Sequence, residues 1–127
     1  MLLVIKQSNI RYPKLMDQNS LFVTEDGSHS ILSGQFKVSY HSKYGAIQES
    51  NHVFINAALQ HKEQSKKQLS IFEIGLGTAL NAYLTYIYAE EHNLQIDYTS
   101  IEGFPIEIEH AEALNYSEVL NLSLIHI

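Results

Sequence analysis

The chain has 127 residues, 45% apolar and 17% charged, a composition that suits one globular domain with a buried core and excludes a disordered chain. A net charge of −6 and a pI near 5.5 give no basic footprint for nucleic acid, although a local patch can still act inside an acidic protein. The absence of cysteine excludes disulfides, thiolate metal sites and cysteine nucleophiles.

Met1 to Gln7 is expected as a first strand. Its apolar opening is far shorter than a signal core or a membrane span, and Lys6 closes it, so no membrane association is expected and the cytoplasm is the expected location. Ile10 to Asn19, with Pro13, reads as a connection. Leu21 to Glu25 and His29 to Leu32 flank Asp26-Gly27, a hairpin signal, because both central turn residues must tolerate positive φ. A further strand is expected from Phe36 to Tyr40, which makes a small antiparallel sheet ahead of the main domain. Residues 1–44 are therefore expected as an N-terminal β-rich extension and 45–127 as the first part of the main domain.

From about Gly45 to Gln64 the pattern turns helical. Ala46/Ile47, Ser50, Val53/Phe54 and Ala57/Ala58 share one face at the i, i+3, i+4, i+7 spacing. Lys62, Lys66 and Lys67 suit the negative pole of that helix, and a solvated helix end is preferred over contact with nucleic acid.

Leu69 to Ile74 then forms an apolar run that breaks into Gly75-Leu76-Gly77-Thr78-Ala79, followed by good helix formers to about His92. Strand, tight turn and helix place backbone amides and a positive helix end above the strand, a place to hold a polar or charged ligand. Glycine supplies positive φ and close approach. The dinucleotide fingerprint Gly-x-Gly-x-x-Gly needs a third glycine where Leu80 stands, which counts against nicotinamide and flavin dinucleotides. Gln95 to Ile101 alternates, is rich in β-branched and aromatic residues, and reads as the next strand, ending at Glu102. A carboxylate at that strand tip is where this fold class accepts hydrogen bonds from ribose hydroxyls. Glu107 to Leu114 reads as the start of another helix. The apolar tail from Asn121 to Ile127 fits poorly, and the expectation is a truncated chain with a tail foreign to the rest.

Several strings together resemble one family: Thr24-x-Asp26-Gly27-Ser28-His29-Ser30, Tyr40-His41-Ser42-x-x-Gly45-Ala46-x-x-Glu49-Ser50-x-His52-Val53-Phe54-Ile55, Glu73-Ile74-Gly75-Leu76-Gly77-Thr78-Ala79-Leu80-Asn81-Ala82, Ile101-Glu102-x-Phe104-Pro105 and Leu114-Asn115-Tyr116. Over roughly 21–120 they are similar to the tRNA 5-methylaminomethyl-2-thiouridine methyltransferases, the MnmD enzymes and the methyltransferase half of bifunctional MnmC. The resemblance implies the N-terminal part of a Rossmann-like, S-adenosylmethionine-dependent methyltransferase fold of the α/β class. It implies transfer of a methyl group from S-adenosylmethionine to the amine of 5-aminomethyl(-2-thio)uridine at the tRNA wobble position. Carried over, Glu73, Gly75, Leu76, Gly77, Thr78 and Asn81 would line the methionine and ribose side of the cofactor. Glu102 would take the ribose hydroxyls, with Gly103 and Phe104 near the adenine. The implied partners are tRNA and a possible FAD-dependent oxidoreductase domain or partner enzyme.

Three departures stand out. Ala79 replaces a usual glycine, Gly103 stands where the family often has lysine, and the family's downstream Asp-x-Phe-Ser-Pro has no counterpart. No catalytic residue is therefore assigned, and the fragment alone is expected to be inactive. Glu49 stays open between a cofactor contact and a favourable acid in a first helical turn. His41 and His52 stay open between packing and substrate contact. Seven histidines show neither His-x-His nor His-Glu-x-x-His spacing, so no metal site is expected. Two other readings remain, a methyltransferase of another substrate class and a noncatalytic nucleotide-binding module.

Overall fold

The computed structural model describes residues 1–7 and 18–120; the expectations for 8–17 and 121–127 lie outside the described residues. The chain divides into two compact units that do not follow chain order. Among the described residues, one comprises 1–7 with 50–105, and the other 18–49 with 106–120.

The first unit holds a three-stranded parallel sheet of β1 (Leu2–Gln7), β4 (Gln68–Ile74) and β5 (Gln95–Glu102) in the order β1-β5-β4. The first strand thus pairs with β5, not within the antiparallel sheet. Among the described residues β5 is the middle strand and β4 an edge. The register sets Leu69 beside Ile96, Ile71 beside Tyr98 and Glu73 beside Ser100. That face is the buried one, with Ile96, Tyr98, Ser100 and Glu102 all buried. The opposite face leaves Leu2, Val4, Phe72, Ile74 and Ile101 exposed.

Between the two longer strands runs α3 (Leu80–His92), which buries Leu80, Ala82, Leu84, Thr85 and Ala89. It stops at Asn93, which adopts a left-handed conformation (φ 53°) that a short polar side chain tolerates. The helix predicted for 45–64 is present, but only its ends are α-helical: α1 (Ala46–Ser50) and α2 (Gln60–Glu63) bracket a π-helical stretch, Asn51–Leu59. There the Gln60 N–H bonds five residues back to the Ile55 carbonyl. The wider turns move the buried side away from the expected stripe, so Ile55 and Leu59 are buried while Val53, Ala57 and Ala58 are exposed.

In the second unit, β2 (Ser20–Val23) and β3 (His29–Leu32) form the antiparallel hairpin. Its connection is longer than the two-residue turn expected. Residues 24–28 form a loop in which Thr24 N–H donates to the Ser28 carbonyl (2.8 Å), and only Gly27 (φ 84°) has positive φ. Asp26 instead closes a side-chain turn, accepting the Ser28 N–H at 3.0 Å. Phe36 to Tyr40 is not a strand. Lys37 sits at φ 58° in a turn, and pairing is reduced to one bridge between Leu32 and Ser39.

The loop side chains cap α1 from some twenty residues upstream. Thr24 Oγ1 accepts the Ala46 N–H (3.2 Å), Ser28 Oγ the Ile47 N–H (3.2 Å) and Asp26 Oδ2 the Gln48 N–H (2.9 Å). Three donors that a helix start leaves unsatisfied are thereby used. Asn115 clamps the same loop, donating from Nδ2 to the Gly27 carbonyl (2.9 Å) and accepting the His29 N–H (2.8 Å). It lies between α4 (Ile108–Ala113) and α5 (Tyr116–Val119), the second of which the sequence did not suggest. No helix among the described residues is long and apolar enough to cross a membrane.

Candidate functional site

The glycine turn begins where β4 ends. Gly75 takes φ 84° and its N–H donates to the Ile101 carbonyl (2.8 Å), which ties the turn to the end of β5. A Cβ at Gly75 would meet nothing, so the backbone angle and not the space demands glycine there. Gly77 (φ 55°) follows, and Ala79 is the N-cap of α3 at φ 62°, ψ 14°. Ala79 is therefore held in a left-handed conformation, which costs an L-residue with a Cβ about 1–2 kcal/mol. Ala79→Gly is accordingly expected to stabilise the chain by about 1 kcal/mol, read from the midpoint of urea unfolding; an unchanged or lower midpoint would show that the turn is not strained.

Two carboxylates stand on the buried face beside this turn. Glu73, one residue before the end of β4, is buried; its Oε1 accepts the Asn81 amide (3.1 Å) and its Oε2 the Ser100 hydroxyl (3.2 Å). Asn81 belongs to the first turn of α3, so this contact ties helix to strand. Tyr98, wholly buried, ends beside the same carboxylate, and its hydroxyl makes no well-formed hydrogen bond among the described residues. Burial first and Glu73 second push its phenol far above the ordinary value.

At the tip of β5, Glu102 is also buried. Its Oε2 accepts the Gly77 N–H (2.9 Å) and its Oε1 the Phe104 N–H (2.7 Å). Each oxygen keeps a further lone pair that an O–H or N–H donor can use. Gly103 lies in open space with no contact awaiting a Cβ.

The residues named from sequence thus fall into two groups. Glu73, Gly75, Leu76, Gly77, Thr78, Asn81, Glu102, Gly103 and Phe104 belong to the first unit, along the ends of β4 and β5 and the turn between β4 and α3. Glu49 belongs to the second unit, where it accepts the Ser42 N–H (3.4 Å) and lies 3.8 Å from His41 Nδ1. Burial lowers the His41 value, and Glu49 partly restores it. Ser100 and Tyr98, which surround Glu73, were not singled out. The alternation of β5 carries their signal, because positions 98, 100 and 102 must share one face. Among the described residues no group of three or more His, Cys, Asp or Glu is placed to hold a metal ion.

No protein-family model matches the chain, and no curated protein matches it. Among solved structures it is similar to the crystal structure of MnmC2 from Aquifex aeolicus, with a TM-score of 0.63 and 24% identity over 76% of this chain. The match spans 33% of that protein's chain. At this identity the likeness is one of fold: a mixed α/β arrangement with a small antiparallel hairpin and parallel strands, compatible with part of a Rossmann-like fold.

Proposed function

We propose that the chain forms part of an S-adenosylmethionine-dependent methyltransferase acting on the amine of 5-aminomethyl(-2-thio)uridine at the tRNA wobble position. In this reading tRNA is the substrate and the cytoplasm the place of action. The observation that carries it is Glu102, held at the tip of β5 between the Gly77 and Phe104 amides with acceptor capacity to spare. Two fixed acceptors at a strand tip suit the paired hydroxyls of a ribose. The residue fit extends to Glu73, whose carboxylate is oriented by Asn81 and Ser100 and can take an ammonium donor. When bound, the cofactor supplies an electrophilic methyl group on a sulfonium. This chain's residues bind and orient: Glu102 the ribose, the turn from Gly75 to Thr78 the adjoining atoms, and Gly103 with Phe104 the base. No described side chain is assigned the proton of the target amine.

Glu102→Ala is expected to weaken S-adenosylmethionine binding by about 1.5–3 kcal/mol, the range for hydrogen bonds to a charged group. Glu102→Gln should cost less, since one acceptor remains. Titration calorimetry on the parent and both variants, with NAD as the competing ligand, decides the matter. Equal affinities across the three proteins, or tighter binding of NAD by the parent, would overturn the reading.

A further inference from the structure

A glycine-rich turn ahead of a helix ordinarily offers its amides to phosphate. Here the alternate amides are already committed to the protein itself. Gly75 N–H goes to the Ile101 carbonyl (2.8 Å), Gly77 N–H to Glu102 Oε2 (2.9 Å) and Ala79 N–H to the Leu76 carbonyl (2.9 Å). The group on Gly77 is itself an anion, buried against the turn and braced from its other side by the Phe104 amide. Glu73 adds a second buried carboxylate on the same face, and from Gln68 to Pro105 the sequence has neither lysine nor arginine. A phosphate entering here would meet two like charges and find the Gly77 donor taken.

We infer that Glu102 is a selectivity residue as well as a binding one: by holding the Gly77 amide it closes the glycine turn to phosphate, so the site takes nucleosides that present hydroxyl or cationic groups and rejects phosphorylated ones. This rests on the proposed cofactor site and adds to it the class of ligand refused. The electrostatic part follows from charge proximity in a partly buried site, where screening by salt is reduced. The hydrogen-bond part follows from displacement, since a phosphate oxygen can gain the Gly77 donor only by evicting a carboxylate that would then lie buried beside it.

The test compares adenosine, adenosine 5′-diphosphate and S-adenosylhomocysteine as ligands of the parent, Glu102→Ala and Glu102→Gln at one ionic strength. The parent is expected to bind adenosine at least tenfold more tightly than the diphosphate. In Glu102→Ala the freed Gly77 amide and the lost charge should bring that ratio close to one, even as adenosine itself binds more weakly. Glu102→Gln, which keeps the side-chain volume, should fall between the two and serves if the alanine variant does not fold. A parent that binds the diphosphate as well as adenosine, or a ratio unchanged in both variants, overturns the inference while S-adenosylhomocysteine binding leaves the cofactor reading standing. Failure of the parent to bind either S-adenosylhomocysteine or adenosine overturns both.

Discussion

Tyr98→Ala is expected to destabilise the first unit by about 3–5 kcal/mol, the range for emptying a buried aromatic site. Tyr98 is 0% exposed, and it lies on β5, which has a hydrogen-bonded neighbour on each side. The surrounding strands cannot close over the gap without breaking their ladders, so the cavity term should be felt almost in full. Such a loss is a large share of the 5–15 kcal/mol typical of a folded domain. Tyr98→Phe separates the ring from the hydroxyl. Because that hydroxyl lacks a well-formed partner, its removal should change stability by less than about 1 kcal/mol near neutral pH. The alkaline limb adds a signed test. A phenol whose folded-state value is raised contributes fully below its unfolded value of about 10, and its contribution is lost as pH rises beyond that. Tyr98→Phe should flatten this loss. Denaturant unfolding followed by circular dichroism at several pH values reads both effects; a phenylalanine variant as damaged as the alanine one would show that the hydroxyl, not the ring, secures the site.

Gly45→Ala is expected to cost about 1–3 kcal/mol, the range for overpacking a filled site. A Cβ there would stand 2.7 Å from Asp26 Oδ2 and 2.9 Å from its Cγ. The carboxylate has little room to yield, since it also accepts from the Gln48 N–H, the Ser28 N–H and hydroxyl, and the Thr24 hydroxyl. Asp26→Ala removes a cap and should cost about 0.5–2 kcal/mol. In the double variant the clash disappears with the carboxylate, so the two costs should fall well short of adding. Simple additivity would mean that glycine is needed at 45 for some other reason. Burial pushes the Asp26 carboxyl up, and the hydrogen bonds from Ser28, Gln48 and Thr24 outweigh it, leaving it below the ordinary carboxylate value. With the folded value depressed, its contribution is present above the unfolded value and is lost as pH falls through the folded one. Asp26→Asn should therefore shrink the loss of stability on the acid side.

The local signals that the sequence carried well were those written by neighbours in the chain. Strand β4, the glycine turn, helix α3, strand β5 and the carboxylate at its tip follow from an apolar run, positive-φ residues and period-two alternation, all short-range properties. The left-handed conformation of Ala79, by contrast, is visible only in the folded turn; in the sequence that position stood out only as one where the resemblance has a glycine. The hairpin was legible as a hairpin, since Asp26-Gly27 marks a reversal whatever its exact length.

Tertiary structure decided the rest. Nothing near Met1 to Gln7 says that the strand will lie parallel to residues 97–102, because a parallel ladder joins segments far apart in sequence. The buried face of the π-helical stretch differs from the stripe expected, since the backbone period itself changed and with it every side-chain direction. Residues 24–28 and Asn115 read as parts of a resemblance; only the folded chain shows three loop side chains capping a helix twenty residues downstream and a distant amide holding the loop. The same holds for the candidate site. Sequence placed Glu73 and Glu102 at two strand ends, but the partners that orient them, Asn81 and Ser100 for one, Gly77 and Phe104 for the other, exist only because the register aligns those ends and the turn folds back over them. Residue types and spacing determine which groups are offered; long-range hydrogen bonding determines which of them are left to meet a ligand.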